Sequence, residues 1–258
     1  VAPPAAAPSP RTPKLAAWAG LAAFTAESAR FQKAAARLDD LARAAPADWA
    51  RAKPCGAWCA GLPHAYAVDC EMCVCEDPAT GARDSKALVR VSLVDASSQE
   101  ACERAARPDG AHADVVLDTL VAPSLPIADA VTRVHGIREA DLEGVSFTRD
   151  HAQRALRQIC CDRTILVGHS IANDLEALRF CHPCVVDTAV AFGVEGGSAD
   201  ASPALRDVAH AALPEGIGEL HSGGAHDSRV DARAAALSAF ALRESDVPLP
   251  RLVPRRPR

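Results

Sequence analysis

No apolar run in the sequence approaches the roughly 20 residues that a helix needs to cross a bilayer. The longest, Leu15 to Phe24, is ten residues of mostly alanine, so no membrane-spanning helix is expected. With 15 glycines and 19 prolines among 258 residues, the composition fits neither a collagen-like nor a globally disordered chain. The hydrophobic fraction, 49% against 24% charged, is enough to bury a core. At about 150 residues per domain, this length suits one substantial α/β domain with an appended segment. No internal repeat is present.

An excess of positive charge is also missing: 28 Lys and Arg face 33 Asp and Glu, a formal net charge of -5. Residues 1–60 hold eight basic and four acidic side chains, and residues 247–258 hold four arginines and no acid, so the acidic surplus lies between basic ends. An acidic middle argues against duplex binding by charge alone. It suits either a solvated acidic surface or a site where carboxylates gather divalent cations before accepting a polyanion.

Cysteine is plentiful, at ten, but regular spacing is absent. A domain of this size needs no disulfide staples, and pairs such as Cys160-Cys161 make no framework. Reduced thiols in an intracellular compartment are therefore expected. Cys55-x3-Cys59, Cys70-x2-Cys73-x-Cys75 and Cys181-His182-Pro183-Cys184 have half-site spacing for zinc. Since no clean pair of half-sites recurs and Cys70 to Cys75 alternate within a strand pattern, zinc is not expected.

Residues 1–13, rich in Pro and Ala, read as a flexible lead. Residues 14–63 read as a helical extension and linker. Within it Phe24, Phe31, Leu38 and Leu41 recur at steps of seven, seven and three, one face of an amphipathic helix that docks on the main domain with Arg30, Lys33 and Arg37 on its polar side. Three apolar runs, 65–73, 87–96 and 114–121, predict a strand meander. Beyond Pro126 the pattern alternates: helices near 138–142 and 148–160, a strand at 164–167, a helix at 173–180, a strand at 185–187, and helices at about 204–213 and 228–243. Val230, Ala234, Leu237 and Leu242 would form one apolar stripe on the last helix. The expectation is a mixed sheet flanked by helices over residues 64–245, followed by a basic Pro/Arg tail, 246–258.

Three groups of residues carry chemistry. Asp69 and Glu71 flank Cys70 in the first strand and project from one face, where two carboxylates repel each other unless the face is open to water or holds cations. Gly168-His169-Ser170-Ile171-Ala172-Asn173-Asp174 follows a strand and opens a helix, so Asn173 and Asp174 stand at the sheet rim or cap that helix. His226-Asp227-Ser228-Arg229-Val230-Asp231 sets a histidine five residues before an acid at the start of a long helix.

In this order the residues resemble the DEDDh branch of the DnaQ-like 3′→5′ exonucleases, and are more similar still to its eukaryotic RNA exonucleases. Ala67-Val68-Asp69-Cys70-Glu71-Met72 resembles their A-x-D-C-E-M motif, Leu166 to Leu175 their L-V-G-H-S-x-x-N-D-L, and Val185-Val186-Asp187-Thr188 their V-x-D-T strand. Arg133-Val134-His135-Gly136-Ile137 resembles their substrate loop, usually T-G-I or S-G-I, from which His135 departs. Cys75-Glu76-Asp77 and Leu88-Val89-Arg90-Val91 resemble plant small-RNA-degrading nucleases in particular. The resemblance spans about residues 64–243, and four ordered motifs are far more specific than one.

The resemblance implies a ribonuclease H-like mixed five-stranded sheet flanked by helices. It also implies a metal-dependent 3′→5′ exoribonuclease that degrades single-stranded, small RNA from a free 3′ end to nucleoside 5′-monophosphates. By that resemblance Asp69, Glu71, Asp174 and Asp231 would hold two Mg2+ or Mn2+ ions about 3.5–4 Å apart, hard cations that prefer oxygen ligands. His226 would take the proton of the attacking water; the sister branch has Tyr there, and the single Tyr66 adjoins the first motif instead. Cys70 and Met72 would contact the terminal nucleotide, His135 would belong to the substrate loop, and His169 and Asn173 would reach the ribose. Asp118 and Asp187 fit supporting roles, and Arg133, Arg138 and Arg179 are candidate phosphate contacts. The expected location is intracellular, in nucleus or cytoplasm, with no membrane partner. Two other readings stay open: the same fold acting on DNA, and a non-catalytic module that binds RNA or protein or is organised by zinc.

Overall fold

The computed structural model describes residues 11–105, 113–194, 201–213, 224–243 and 251–252. The meander forms as the sequence predicts: β1 (Ala65–Glu76), β2 (Arg83–Asp95) and β3 (Val115–Leu120) pair antiparallel. A short β4 (Ile127–Asp129) pairs with the far end of β1, and β5 (Ile165–Gly168) and β6 (Val185–Asp187) extend the sheet in parallel on the other side. The order is β3-β2-β1-β5-β6, with β4 off that path, so the expected five strands gain a sixth. At three residues, β4 is too short to leave an alternation pattern.

Helices cover both faces, which is why β1 reads as an almost unbroken apolar run. On one face Tyr66, Val68 and Cys70 pack with Leu156, Leu175 and Leu178 from α5 (Arg149–Ile159) and α6 (Ala172–Leu178). On the other, Ala65, Ala67 and Val167 pack against Ala232, Ala236 and Phe240 of α9 (Ser228–Arg243). The expected single stripe on α9 is too narrow. Ala232, Ala234, Ala235, Ala236 and Ala239 are all buried, because small side chains let the helix sit deep between the sheet and its neighbours α1 (Arg11–Glu27), α3 (Gln99–Ala105) and α8 (Leu205–Ala212).

The expected single N-terminal helix is two, α1 (Arg11–Glu27) and α2 (Ala29–Ala44), parted at Ser28, whose ψ of 125° is extended. The break turns Phe24 out to 41% exposure, off the face that its spacing assigns to it, while Trp18 is wholly buried edge-on to Phe240 at 5.0 Å. Residues 11–13 of the expected flexible lead are helical. Residues 1–10, and the tail apart from 251–252, lie outside the described residues. Among the described residues no helix is long and apolar enough to cross a membrane.

Candidate active site

Three elements deliver carboxylates to one end of the sheet. Strand alternation sets Asp69 and Glu71 on the face that carries Ala65 and Ala67, toward α9. The parallel ladder between β1 and β5 stops at the pair Ala67 and Val167, which leaves the N–H of Cys70 without a strand partner. Asp174, in the first turn of α6, takes that N–H on its Oδ1 at 2.9 Å. The turn between β5 and α6 is tightly packed. A Cβ at Gly168 would lie 2.9 Å from the Ile171 side chain, and Ser170 adopts a φ of +57°, held by its N–H donating to Asp187 Oδ1 at 2.7 Å. Asp231 enters from the first turn of α9, and His226 Nδ1 lies 3.4 Å from its Oδ2.

Glu71, Asp174 and Asp231 are buried, while Asp69 is half-buried at the wall of a cleft. Burial, followed by repulsion from Asp174, Asp231 and Glu71, raises the Asp69 pKa well above the usual carboxylate value, against a smaller pull from Arg90. Burial and then Asp231 push Glu71 to about 7. Burial pushes Asp174 to about 8, although the Cys70 N–H opposes it. Glu71 Oε1 is buried with no hydrogen-bond partner. An orphaned carboxylate oxygen beside three other acids is costly unless a cation supplies the missing interaction, and an all-oxygen set suits hard divalent ions. The residues present therefore fit a divalent metal centre.

A cleft of about 670 Å³ opens onto the group, and its walls include Asp69, Asp231, His226, His169, Arg133 and Arg206. His226, at 40% side-chain exposure, faces solvent, while its main-chain N–H is fixed to Val134 O at 2.8 Å. The remaining expected contacts are placed less simply. The Cys70 side chain points into the core opposite Asp69, so what it brings to the site is its main chain. Met72 is half-buried against that same core. His135 is buried, and its Nδ1 accepts the Ile137 N–H at 3.1 Å. Its Nε2 is 3.3 Å from Met72 O, so the ring ties the helical turn α4 (Thr132–His135) to β1. His169 Nε2 is 2.9 Å from Pro203 O and must donate to it, so Nδ1 accepts from the Thr188 hydroxyl at 3.0 Å. Burial lowers the His169 pKa to about 4, which keeps the ring neutral. Asn173 is engaged on both amide atoms, accepting from Lys86 Nζ at 3.0 Å and donating to Ser170 O at 3.2 Å.

Of the three arginines singled out, Arg133 alone lines the cleft. Arg138 pairs with Asp141, and Arg179 with Asp48. Asp187 accepts from Ser170 and Ala189 and caps α7 (Thr188–Ala191). Asp118 holds Arg90, which stands opposite Glu71 across the β1/β2 ladder. The motifs contain Arg90, Asp227 and Arg229 without showing that they meet Asp118 in one assembly. Its guanidinium binds Asp118 in two-pronged fashion at 2.8 and 3.0 Å and reaches Asp227 at 3.2 Å, and Asp227 in turn holds Arg229 at 2.6 Å. Ser92 and Ser228 hydroxyls meet at 2.7 Å beside it. Together these contacts lock the start of α9, and so His226 and Asp231, onto the sheet.

Three comparisons bear on this arrangement. The chain is 34% identical over 175 residues to RNA exonuclease 1 of Saccharomyces cerevisiae, covering 67% of this chain and 27% of that protein. It is 34% identical over 168 residues to Small RNA degrading nuclease 3 of Arabidopsis thaliana, covering 65% and 18%. The fold is similar to the pseudoubiquitin hydrolase-RNA exonuclease module of Saccharomyces cerevisiae Pan2, solved with AAUUAA RNA, with a TM-score of 0.52 and 22% identity over 73% of this chain and 31% of that one. No protein-family profile matches the chain. It spans about a quarter or less of the length of these two curated relatives. Over about two thirds of its length, the chain is therefore similar to curated eukaryotic RNA exonucleases, and its fold is similar to that of a Pan2 exonuclease module.

Proposed function

We propose that the protein is a metal-dependent 3′→5′ exoribonuclease acting on single-stranded RNA with a free 3′ end and releasing nucleoside 5′-monophosphates. The observation that carries this reading is the convergence of Asp69, Glu71, Asp174 and Asp231 beside His226, with one Glu71 oxygen left unpartnered. Two Mg2+ or Mn2+ ions held by the four carboxylates would supply charge neutralisation at the scissile phosphate and a water acidic enough to act near neutral pH. His226 would take a proton from the attacking water on its ring, and Asp231, 3.4 Å from Nδ1, would hold that ring in place. Arg133 and Arg206 at the cleft mouth offer positive charge to an approaching backbone that the acidic floor alone would repel. The Arg90 assembly keeps His226 and Asp231 in register with β1.

Both curated relatives are named for RNA, which supports RNA over DNA. His169 and Asn173 spend their polar atoms within the protein, so we assign them to shaping the cleft wall and the α6 turn rather than to reading the ribose directly. Ten unpaired cysteines support a reducing intracellular location. The test is a 5′-labelled RNA incubated with the purified protein, alongside the same oligomer ending in a deoxynucleotide. Stepwise 3′ shortening that needs Mg2+ or Mn2+ and stops in EDTA is expected. Undiminished shortening in EDTA overturns the proposal, and equal rates on both substrates overturn the RNA preference.

A further inference from the structure

A second cluster stands at the opposite end of β5 from the carboxylates. Cys55, Cys59 and Cys161 each place a sulfur within 4.8 Å of the other two. Two come from a four-residue spacing and the third from more than 100 residues further along, so linear spacing shows one half-site and the fold supplies the completing ligand. The sequence expectation of no zinc site rested on local half-site spacing and on the strand alternation of Cys70 to Cys75, neither of which relates Cys161 to Cys55 and Cys59.

The geometry distinguishes among the uses of three thiols. Tetrahedral zinc with Zn–S bonds of about 2.3 Å separates its sulfurs by about 3.8 Å, and Cys55 and Cys59 stand 3.5 Å apart. A disulfide would need about 2.05 Å. The scaffold is assembled by the chain itself. Cys59 closes the 3-10 turn Ala57–Cys59, whose Trp58 indole N–H donates to Pro54 O at 3.0 Å. Cys161 is bridged to Lys53, the Asp162 N–H donates to Lys53 O at 2.8 Å, and Asp162 Oδ1 accepts the Cys55 N–H at 2.8 Å. The Thr164 hydroxyl accepts the Cys161 N–H at 2.9 Å and lies 3.5 Å from its sulfur, the kind of supporting contact that orients a metal ligand. Cys55 is exposed, so an ion can enter and a fourth position faces solvent.

We propose that Cys55, Cys59 and Cys161 bind a zinc ion as three thiolates, clasping the linker between the N-terminal helices and the nuclease sheet to the residues that lead into β5. Binding releases the three thiol protons to solvent and changes no oxidation state. The site is separate from the oxygen-ligand centre and chemically softer, so it holds zinc where the carboxylates hold magnesium or manganese.

The experiment is elemental analysis of the whole chain purified under reducing conditions without chelator or added metal, followed by cobalt exchange. Expected are one zinc per chain and, with Co2+, thiolate-to-metal charge-transfer absorption. Cys55→Ser, at an exposed position where folding is spared, loses both, as does Cys161→Ser. Asp174→Asn and Cys181→Ser keep both. A wild-type chain without zinc that shows no thiolate charge transfer on adding Co2+ overturns the proposal. So does zinc that survives Cys55→Ser but disappears with Asp174→Asn, or a Cys55–Cys59 disulfide in the metal-free protein under reducing conditions.

Discussion

At the scale of single residues, the site is held together against its own charge. The folded pKa values of Glu71 and Asp174, about 7 and about 8, lie above the ordinary 4.5 and 3.8. Between those limits the unfolded chain binds fewer protons than the folded one, so stability without metal falls as pH rises through the window. Asp174→Asn removes one charge while keeping an oxygen for the Cys70 N–H. In EDTA at pH 8 it raises the unfolding free energy by about 1–2 kcal/mol, and the gain shrinks toward pH 5. Denaturant titrations at the two pH values check this; a variant less stable than wild type at pH 8 contradicts it. His226→Ala leaves the carboxylates in place and slows RNA trimming by about 10²–10⁴-fold with the fold unchanged, as single-turnover rates would show. That Asp69, Glu71, Asp174, His226 and Asp231 would meet was legible only through the resemblance of their ordered motifs to a known family, since each short spacing alone also fits a strand edge or a helix cap. Asp118 was read there in a supporting role, but its meeting with Arg90, Asp227 and Arg229 was not, because that meeting joins three segments and no local pattern records it.

At the scale of elements, the site depends on how α9 and α6 are anchored. Arg233 of α9 makes a buried two-pronged ion pair with Asp114, at 2.8 Å for both contacts, and fixes the helix that carries Asp231 to the chain entering β3. Asp114→Ala takes the carboxylate away from a buried guanidinium and costs about 3–5 kcal/mol. Asp114→Leu combined with Arg233→Met recovers part of that loss, and thermal unfolding of the single and double variants would show it. The strands and main helices were readable because their apolar periods run for several residues. The break at Ser28 was not, since helical spacing from Phe24 to Leu41 continues through it and only tertiary packing, with Trp18 drawn into the core, decides which face turns inward. Burial of α9 on every side from Asp231 to Phe240 was hidden for the same reason: alanine fits a stripe or a surrounded helix equally well.

At the scale of the whole molecule, the two N-terminal helices are part of the sheet's surroundings. Trp18 packs with Val186 and Phe240, the Thr25 hydroxyl accepts the Asp187 N–H at 3.1 Å, and Arg30 reaches Ser170 at the turn before α6. Sequence periodicity predicts a docking helix here without showing that it braces the turn carrying Asp174. The proposed activity requires that side chains from β1, α6 and α9 share bound cations, a property of the assembled fold and of no single segment. The most direct measurement is anomalous diffraction from crystals soaked in Mn2+. Peaks bounded by Asp69, Glu71, Asp174 and Asp231, lost in Asp231→Asn crystals, are what the account predicts. Manganese absent from those carboxylates at saturating concentration would contradict it.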